Sequence, residues 1–150
     1  VPPPTLHASA LLVGDRGVVI AGPSGSGKTA LCLALLNHCR NARWFARLVS
    51  DDWIYLVRAG DRLIARAPEP IAGLIEVRGF VPTQICAAGE MIVDRMVRLA
   101  PAAEAPRFSE GEAELLEGHP VPSLRLPERN ALQGVLAVAA WLGLPPFATE

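Results

Sequence analysis

Short apolar runs alternate with polar turns along most of this chain. Residues 7–13 and 18–21 are almost wholly apolar, and Gly14-Asp15-Arg16-Gly17 separates them. That pattern predicts two buried strands joined as a hairpin. Ala30-Leu31-Cys32-Leu33-Ala34-Leu35-Leu36 is rich in good helix formers and predicts a helix reaching about Asn37. A basic and aromatic connector over residues 41–46 leads to Leu48-Val49 and the acid pair Asp51-Asp52. Strand composition resumes over residues 53–57, turns at Gly60-Asp61 and returns over residues 62–66.

Pro68 and Pro70 end that run, and residues 74–77 and 91–99 predict two further strands. Residues 100–106 form a Pro/Ala-rich loop. Residues 109–116 predict a short acidic helix, with Ser109 as N-cap and Glu112 three residues on. Residues 120–127 are extended and punctuated by proline. Residues 130–142 predict an apolar helix closed by Gly143 and Pro145-Pro146. Many strands, few helices and several hairpins predict an α/β domain on a mixed sheet rather than repeated βαβ units.

The loop between the first hairpin and the first helix carries the chemistry. Gly22-Pro23-Ser24-Gly25-Ser26-Gly27-Lys28-Thr29 fits the phosphate-loop (P-loop) pattern G-x-x-x-x-G-K-[ST]. Glycines let successive backbone N–H groups turn in on a phosphate. Lys28 can reach the terminal phosphates, and the Thr29 hydroxyl can hold Mg²⁺. The helix that follows adds the positive end of its dipole. A strand before the loop and a helix after it are the context this motif requires.

Such a loop names a ligand and not a reaction, so the remaining polar residues matter. An acid after an apolar strand downstream of a phosphate loop serves Mg²⁺ or the nucleophile, and Asp51-Asp52 stands there. On a strand the two would point to opposite faces, so one alone would face the phosphate. The plain alternative is a turn-forming pair. Glu76 and Arg78 lie two apart and share one side of a strand. They either pair at the surface or flank a triphosphate, Glu76 on the metal and Arg78 on an oxygen. His7 is alone on a small, apolar strand, where a histidine is ordinarily structural.

Composition narrows the setting. A length of 150 residues predicts one domain, and 51% apolar residues can build a core without staples. The net charge of −1 gives no reason to expect nucleic acid or a membrane surface as partner. No apolar stretch is long enough to span a bilayer. The three cysteines, Cys32, Cys39 and Cys86, form no C-x-x-C pair. Buried thiols in a reducing cytoplasm are the expectation. The start, Val1-Pro2-Pro3-Pro4, has no initiator Met and no signal-peptide pattern, consistent with a trimmed or processed end.

Taken together, these pieces resemble the HPr kinase/phosphorylase family, in particular short forms made of the catalytic domain alone. The likeness runs from about Leu6 to about Leu142. It rests on His7-Ala8-Ser9, the phosphate loop and Leu48-Val49-Ser50-Asp51-Asp52. It continues through Ile71-Ala72-Gly73-Leu74-Ile75-Glu76-Val77-Arg78-Gly79, then Pro120-x-Pro122 and Arg129-Asn130. Glu-[IV]-Arg-Gly is its most diagnostic part.

The resemblance implies a fold similar to phosphoenolpyruvate carboxykinase. It implies transfer from ATP or pyrophosphate to one serine of the carrier protein HPr, reversal by phosphorolysis, and a homo-oligomer, commonly a hexamer. By position His7 and Lys28 match active-site residues, and Asp52 matches the proton acceptor of the forward reaction. Thr29 and Glu76 match the Mg²⁺ ligands, with Asp51 a further candidate for the metal. Arg107 matches an active-site arginine, and residues 122–130 match a region linked to dephosphorylation. The alternatives are a nucleotide-binding regulatory protein of the same fold and a small-metabolite kinase.

Three departures stand out against that family. Phe80-Val81-Pro82-Thr83 replaces the usual Leu-Gly-Ile after Glu-Val-Arg-Gly, and the link to the acid pair is longer. Glu128 stands where the family commonly has Gly, and strain follows there if the position needs a positive φ. Phosphorolysis weaker than kinase activity is the expectation.

Overall fold

A computed structural model describes residues 2–109 and 111–147. Its centre is a six-stranded sheet in the order β11-β12-β10-β3-β2-β4. The strands are β2 (Ala8–Val13), β3 (Arg16–Ala21), β4 (Ala46–Ser50), β10 (Arg95–Ala100), β11 (Glu112–Leu116) and β12 (His119–Pro127). β12, β10 and β3 run parallel, and the other pairings are antiparallel. The sheet is mixed, as the pattern predicts. A second, antiparallel sheet is ordered β1 (Thr5–Leu6), β5 (Ile54–Ala59), β6 (Arg62–Arg66) and β9 (Glu90–Ile92). A small hairpin pairs β7 (Leu74–Ile75) with β8 (Thr83–Gln84).

The apolar runs are continuous because the central strands are buried on both faces. In β3, Val18 and Ile20 join Leu11, Leu48 and Val97 under the helices α1 (Lys28–Asn41) and α2 (Ala131–Leu142). Val19 and Ala21 point the other way and join Ile54, Leu56, Leu63 and Met91 of the second sheet. α1 buries Leu31, Cys32, Leu35 and Cys39, and α2 buries Gly134, Val135, Val138 and Ala139. Asn130 caps α2 by accepting from the Gln133 N–H, and Gly143 closes it at φ 71°.

Several sequence expectations change. The run 91–99 is two strands in different sheets, β9 and β10. The break falls at Asp94, whose Oδ2 accepts the Gly17 N–H at 2.8 Å. Strand 74–77 ends at Ile75. The acidic segment 109–116 is not a helix: β11 forms a hairpin with β12. Glu117 (φ 50°) and Gly118 (φ 76°) make its two-residue turn, a geometry that fits the twist of paired strands. Glu110, inside that expected helix, and Val1 lie outside the described residues. The longer link to the acid pair is absorbed by α1, which continues to Asn41.

This topology gathers one end of the sheet. β3, β10, β12 and β4 finish there, and the antiparallel β2 starts there. The phosphate loop, Asp51-Asp52, His7 and Glu128-Arg129 therefore leave the sheet at the same end. Ligands of parallel α/β sheets bind at this carboxyl edge.

Gly17 fixes how closely the two sheets cross. A Cβ there would lie 1.9 Å from the Ile92 carbonyl oxygen, a backbone atom that cannot step aside. Gly17→Ala should destabilise the fold by about 2–3 kcal/mol. Denaturant melts of the two proteins check this, and equal midpoints would contradict so tight a crossing.

Candidate active site

The phosphate loop leaves β3 at Gly22 and turns into α1 at Gly27, whose φ of 97° suits glycine. The first turn of α1 carries no acid of its own and no side chain caps it, so its N–H groups and the positive end of its dipole are turned to the loop. Lys28 is buried, and its Nζ donates to the Gly22 and Pro23 carbonyls at 2.9 and 3.0 Å. The same Nζ lies 3.7 Å from Asp52 Oδ1. Ser26 Oγ is buried under the loop and has no hydrogen-bond partner among the described residues.

Strand alternation does not separate the two acids. β4 stops at Ser50, and the chain turns at once: Trp53 N–H donates to the Asp51 carbonyl at 2.8 Å, and Asp52 has φ 71°. Both carboxylates consequently reach the phosphate-loop side. Asp51 is 6% exposed. Its Oδ1 accepts from Thr29 Oγ1 at 2.8 Å and from Ser9 Oγ at 2.9 Å, and its Oδ2 accepts the Glu76 N–H at 2.9 Å. Asp52 is more open. The His7 Nε2–H donates to Asp52 Oδ1 at 2.6 Å, and Lys28 faces the same oxygen. Among the described residues, Asp52 Oδ2 has no hydrogen-bond partner, so one carboxylate oxygen is held and the other is not.

Glu76 and Arg78 are both exposed and form no ion pair with each other among the described residues. With β7 ending at Ile75, the shared strand face expected for them is absent. Both line a cleft of about 480 Å³ together with Asp51, Asp52, Trp53 and Phe80. Arg107 follows the same end of β10 but stays exposed and stacks on Phe108, outside the bonded cluster. His7 is a member of the cluster and not an isolated structural histidine.

Sequence reasoning about single residues missed two participants. Ser9 is fully buried and serves both acids: it donates to Asp51 and accepts the Asp52 N–H at 3.1 Å. Its signal is its place two residues after His7, at the start of β2. Arg129 is the other. Its N–H donates to Ser26 O at 2.8 Å, and its guanidinium donates to Gly25 O at 3.2 Å and to Glu128 Oε1 at 2.6 Å. The left-handed residue in this segment is Arg129, at φ 55°, and not Glu128, so the strain expected at Glu128 does not arise.

Two of the three cysteines, Cys32 and Cys39, are buried thiols. Burial, with Asp51 nearby, pushes the Cys32 thiol far above its usual range, and burial also raises Cys39. Both therefore remain protonated and unreactive at neutral pH. Cys86 is exposed.

A phosphate loop with an acid on its hydroxyl and a second acid beside its lysine is an arrangement that can serve phosphoryl transfer. The HPr Serine kinase C-terminal domain model matches residues 2–88. The HPr kinase/phosphorylase of Cupriavidus metallidurans is 35% identical over 114 residues, 75% of this chain and 33% of that protein. Its counterpart in Burkholderia cenocepacia is 35% identical over 130 residues, 84% of this chain and 38% of that protein. The chain thus spans 33–38% of the length of these curated relatives. The solved HPr(Ser) kinase/phosphatase from Coxiella burnetii aligns with a TM-score of 0.75 at 26% identity, covering 93% of this chain and 97% of that one. The chain belongs to the HPr serine kinase C-terminal domain family, with that family's P-loop kinase fold.

Proposed function

We propose that this chain is an ATP- and Mg²⁺-dependent serine kinase acting on an HPr-type phosphocarrier protein, and that the same groups run the phosphorolytic reversal. The observation that carries this reading is the divided acid pair: Asp51 on the Thr29 hydroxyl and Asp52 between His7 and Lys28.

The residues fit a phosphate-bound Mg²⁺. Thr29 Oγ1 and Asp51 Oδ1 are hard oxygens 2.8 Å apart at the first turn of α1, and the Glu76 backbone is bonded to the same carboxylate. Among the described residues, no group of three or more His, Cys, Asp or Glu could hold an ion alone. Mg²⁺ suits such a site, because it commonly takes one or two protein oxygens and completes its shell with phosphate and water. When bound, it neutralises charge on the transferring phosphoryl group.

Each side chain then has a task. Lys28 exchanges the Gly22 and Pro23 carbonyls for phosphate oxygens. Asp52 Oδ2 takes the serine proton while Oγ bonds to the γ-phosphorus and the bond from that phosphorus to the bridging oxygen of ADP breaks. His7 and Lys28 hold Oδ1 meanwhile. In reverse, an oxygen of inorganic phosphate attacks the phosphoserine phosphorus, the Oγ–P bond breaks, Asp52 returns the proton to Oγ, and pyrophosphate leaves. Pyrophosphate serves as donor by the same route.

Exposed Leu132 and Leu136, on the helix that follows Arg129, offer apolar surface to a protein partner or to a second copy in a homo-oligomer. No described helix is long and apolar enough to cross a membrane. ATP dependence and three free cysteines fit a reducing cytoplasm.

Labelled ATP with purified HPr tests the reading. The chain should label one serine on HPr and lose the label again when phosphate is added in excess. Asp52→Asn should keep ATP affinity and slow labelling by roughly 10²-fold or more. Normal labelling by that variant would remove Asp52 from the proton transfer, and no labelling by the unaltered chain would contradict the kinase assignment.

Lys28→Ala should weaken ATP–Mg²⁺ binding in a calorimetric titration, because it removes the cation aimed at the β- and γ-phosphates. Unchanged affinity and turnover would overturn the phosphate-loop assignment.

A further inference from the structure

Trp53 is a large aromatic side chain that the core does not use: it is 46% exposed. A tight turn nevertheless fixes it in place. Ser50 Oγ donates to the Trp53 carbonyl at 2.5 Å, the Trp53 N–H donates to Asp51 O at 2.8 Å, and Asp52 between them sits at φ 71°. The indole lies over the His7 imidazole, with ring centroids 4.9 Å apart and planes 23° apart. The His7 Nε2–H in turn points at Asp52 Oδ1 at 2.6 Å. Trp53 also lines the cleft shared by Asp52 and Glu76.

We propose that Trp53 is a positioning residue for phosphoryl transfer, which locks the plane of the His7 ring so that His7 holds Asp52 Oδ1 and leaves Oδ2 directed at the acceptor hydroxyl. The inference rests on the functional reading above. Its physical basis is torsional. His7 sits partly exposed in the bend between β1 and β2, and an imidazole there has a broad, roughly two-fold ring torsion. An offset-stacked aromatic partner narrows that freedom, and such ring pairs are worth about 0.5–1.5 kcal/mol beyond their area. A carboxylate held by one oxygen can rotate about its own last torsion, so a wandering imidazole would release it. Small losses of alignment of this kind act on the reacting geometry more than on ground-state binding. The Ser50–Trp53 turn places the acid and the indole within two residues of each other, so one local conformation sets both.

Two substitutions separate positioning from mere packing, each made in the full chain. Trp53→Ala removes the stacked ring and Trp53→Phe keeps one. NMR reads the stack directly, through the His7 ring protons, assigned with His7→Gln against His38 and His119. In the unaltered chain the indole ring current should shift them upfield. Trp53→Ala should return them to the free imidazole position, and Trp53→Phe should retain most of the shift. In the labelled-ATP assay with HPr, Trp53→Ala should lower kcat about tenfold with KM for ATP unchanged, and Trp53→Phe should restore most of it.

His7 ring shifts that ignore Trp53→Ala would overturn the contact. A released His7 ring with unaltered kcat would overturn its role, and so would equal loss in both variants with a raised KM for ATP. A chain that never phosphorylates HPr but shows the ring-current shift would defeat the functional reading and leave the ring contact standing. A chain that does phosphorylate HPr and tolerates Trp53→Ala would defeat this inference alone.

Discussion

A buried carboxylate must be satisfied or it will not stay charged, and Asp51 is the point at which this chain meets that demand. Leaving such a group unpaired in an apolar interior costs several kcal/mol or neutralises it. Asp51 meets three donors, from the Ser9 hydroxyl, the Thr29 hydroxyl and the Glu76 backbone. Those donors come from β2, from the first turn of α1 and from the segment after β7. Four pieces of chain distant in sequence therefore agree on one position for one side chain. Hydrogen bonds to a charged group contribute about 1.5–3 kcal/mol each, the strong end of the range. The phosphate loop is thereby tied to the acid turn before any substrate arrives.

From that anchor the division of labour follows. Asp51 is enclosed and its oxygens are taken by protein donors, so it fixes the Thr29 hydroxyl and has little left for an acceptor. Asp52, one residue on, is carried by its left-handed backbone into the open, where His7 and Lys28 occupy only one oxygen. Arg129 closes the loop from the far side through its backbone N–H and its guanidinium. The mixed sheet makes this possible, because it brings the strand ends bearing these residues to one edge.

Much of this was legible in the sequence, and the failures have physical causes. The phosphate loop, the first hairpin, the β5–β6 hairpin and the last helix follow from local patterns that tertiary contacts reinforce. The acid pair admits either a strand, where alternation would divide it, or a turn; the structure has the turn, at Asp52, and no φ is visible in a sequence. The run through Asp94 was read as one strand because an apolar period does not reveal that a chain changes sheets. The acidic segment before His119 contains good helix formers, and the Glu117-Gly118 turn and pairing with β12 outweighed that propensity. Ser9 and Arg129 were missed as site residues because their importance lies in contacts across 42 and 103 positions, from Ser9 to Asp51 and from Arg129 to Ser26.

The central claim is that Asp51 ties the site together while Asp52 stands open beside it, and paired stability measurements test it most directly. In Asp51→Asn one amide orientation turns an N–H toward the Glu76 N–H, and the other turns it toward two hydroxyls that now donate. Either arrangement leaves buried groups mismatched, so denaturant unfolding should show a loss of about 2 kcal/mol or more. Asp52→Asn, at a half-open position, should unfold close to the unaltered chain. Equal stability of Asp51→Asn and the unaltered chain, or a larger loss from Asp52→Asn, would contradict the account.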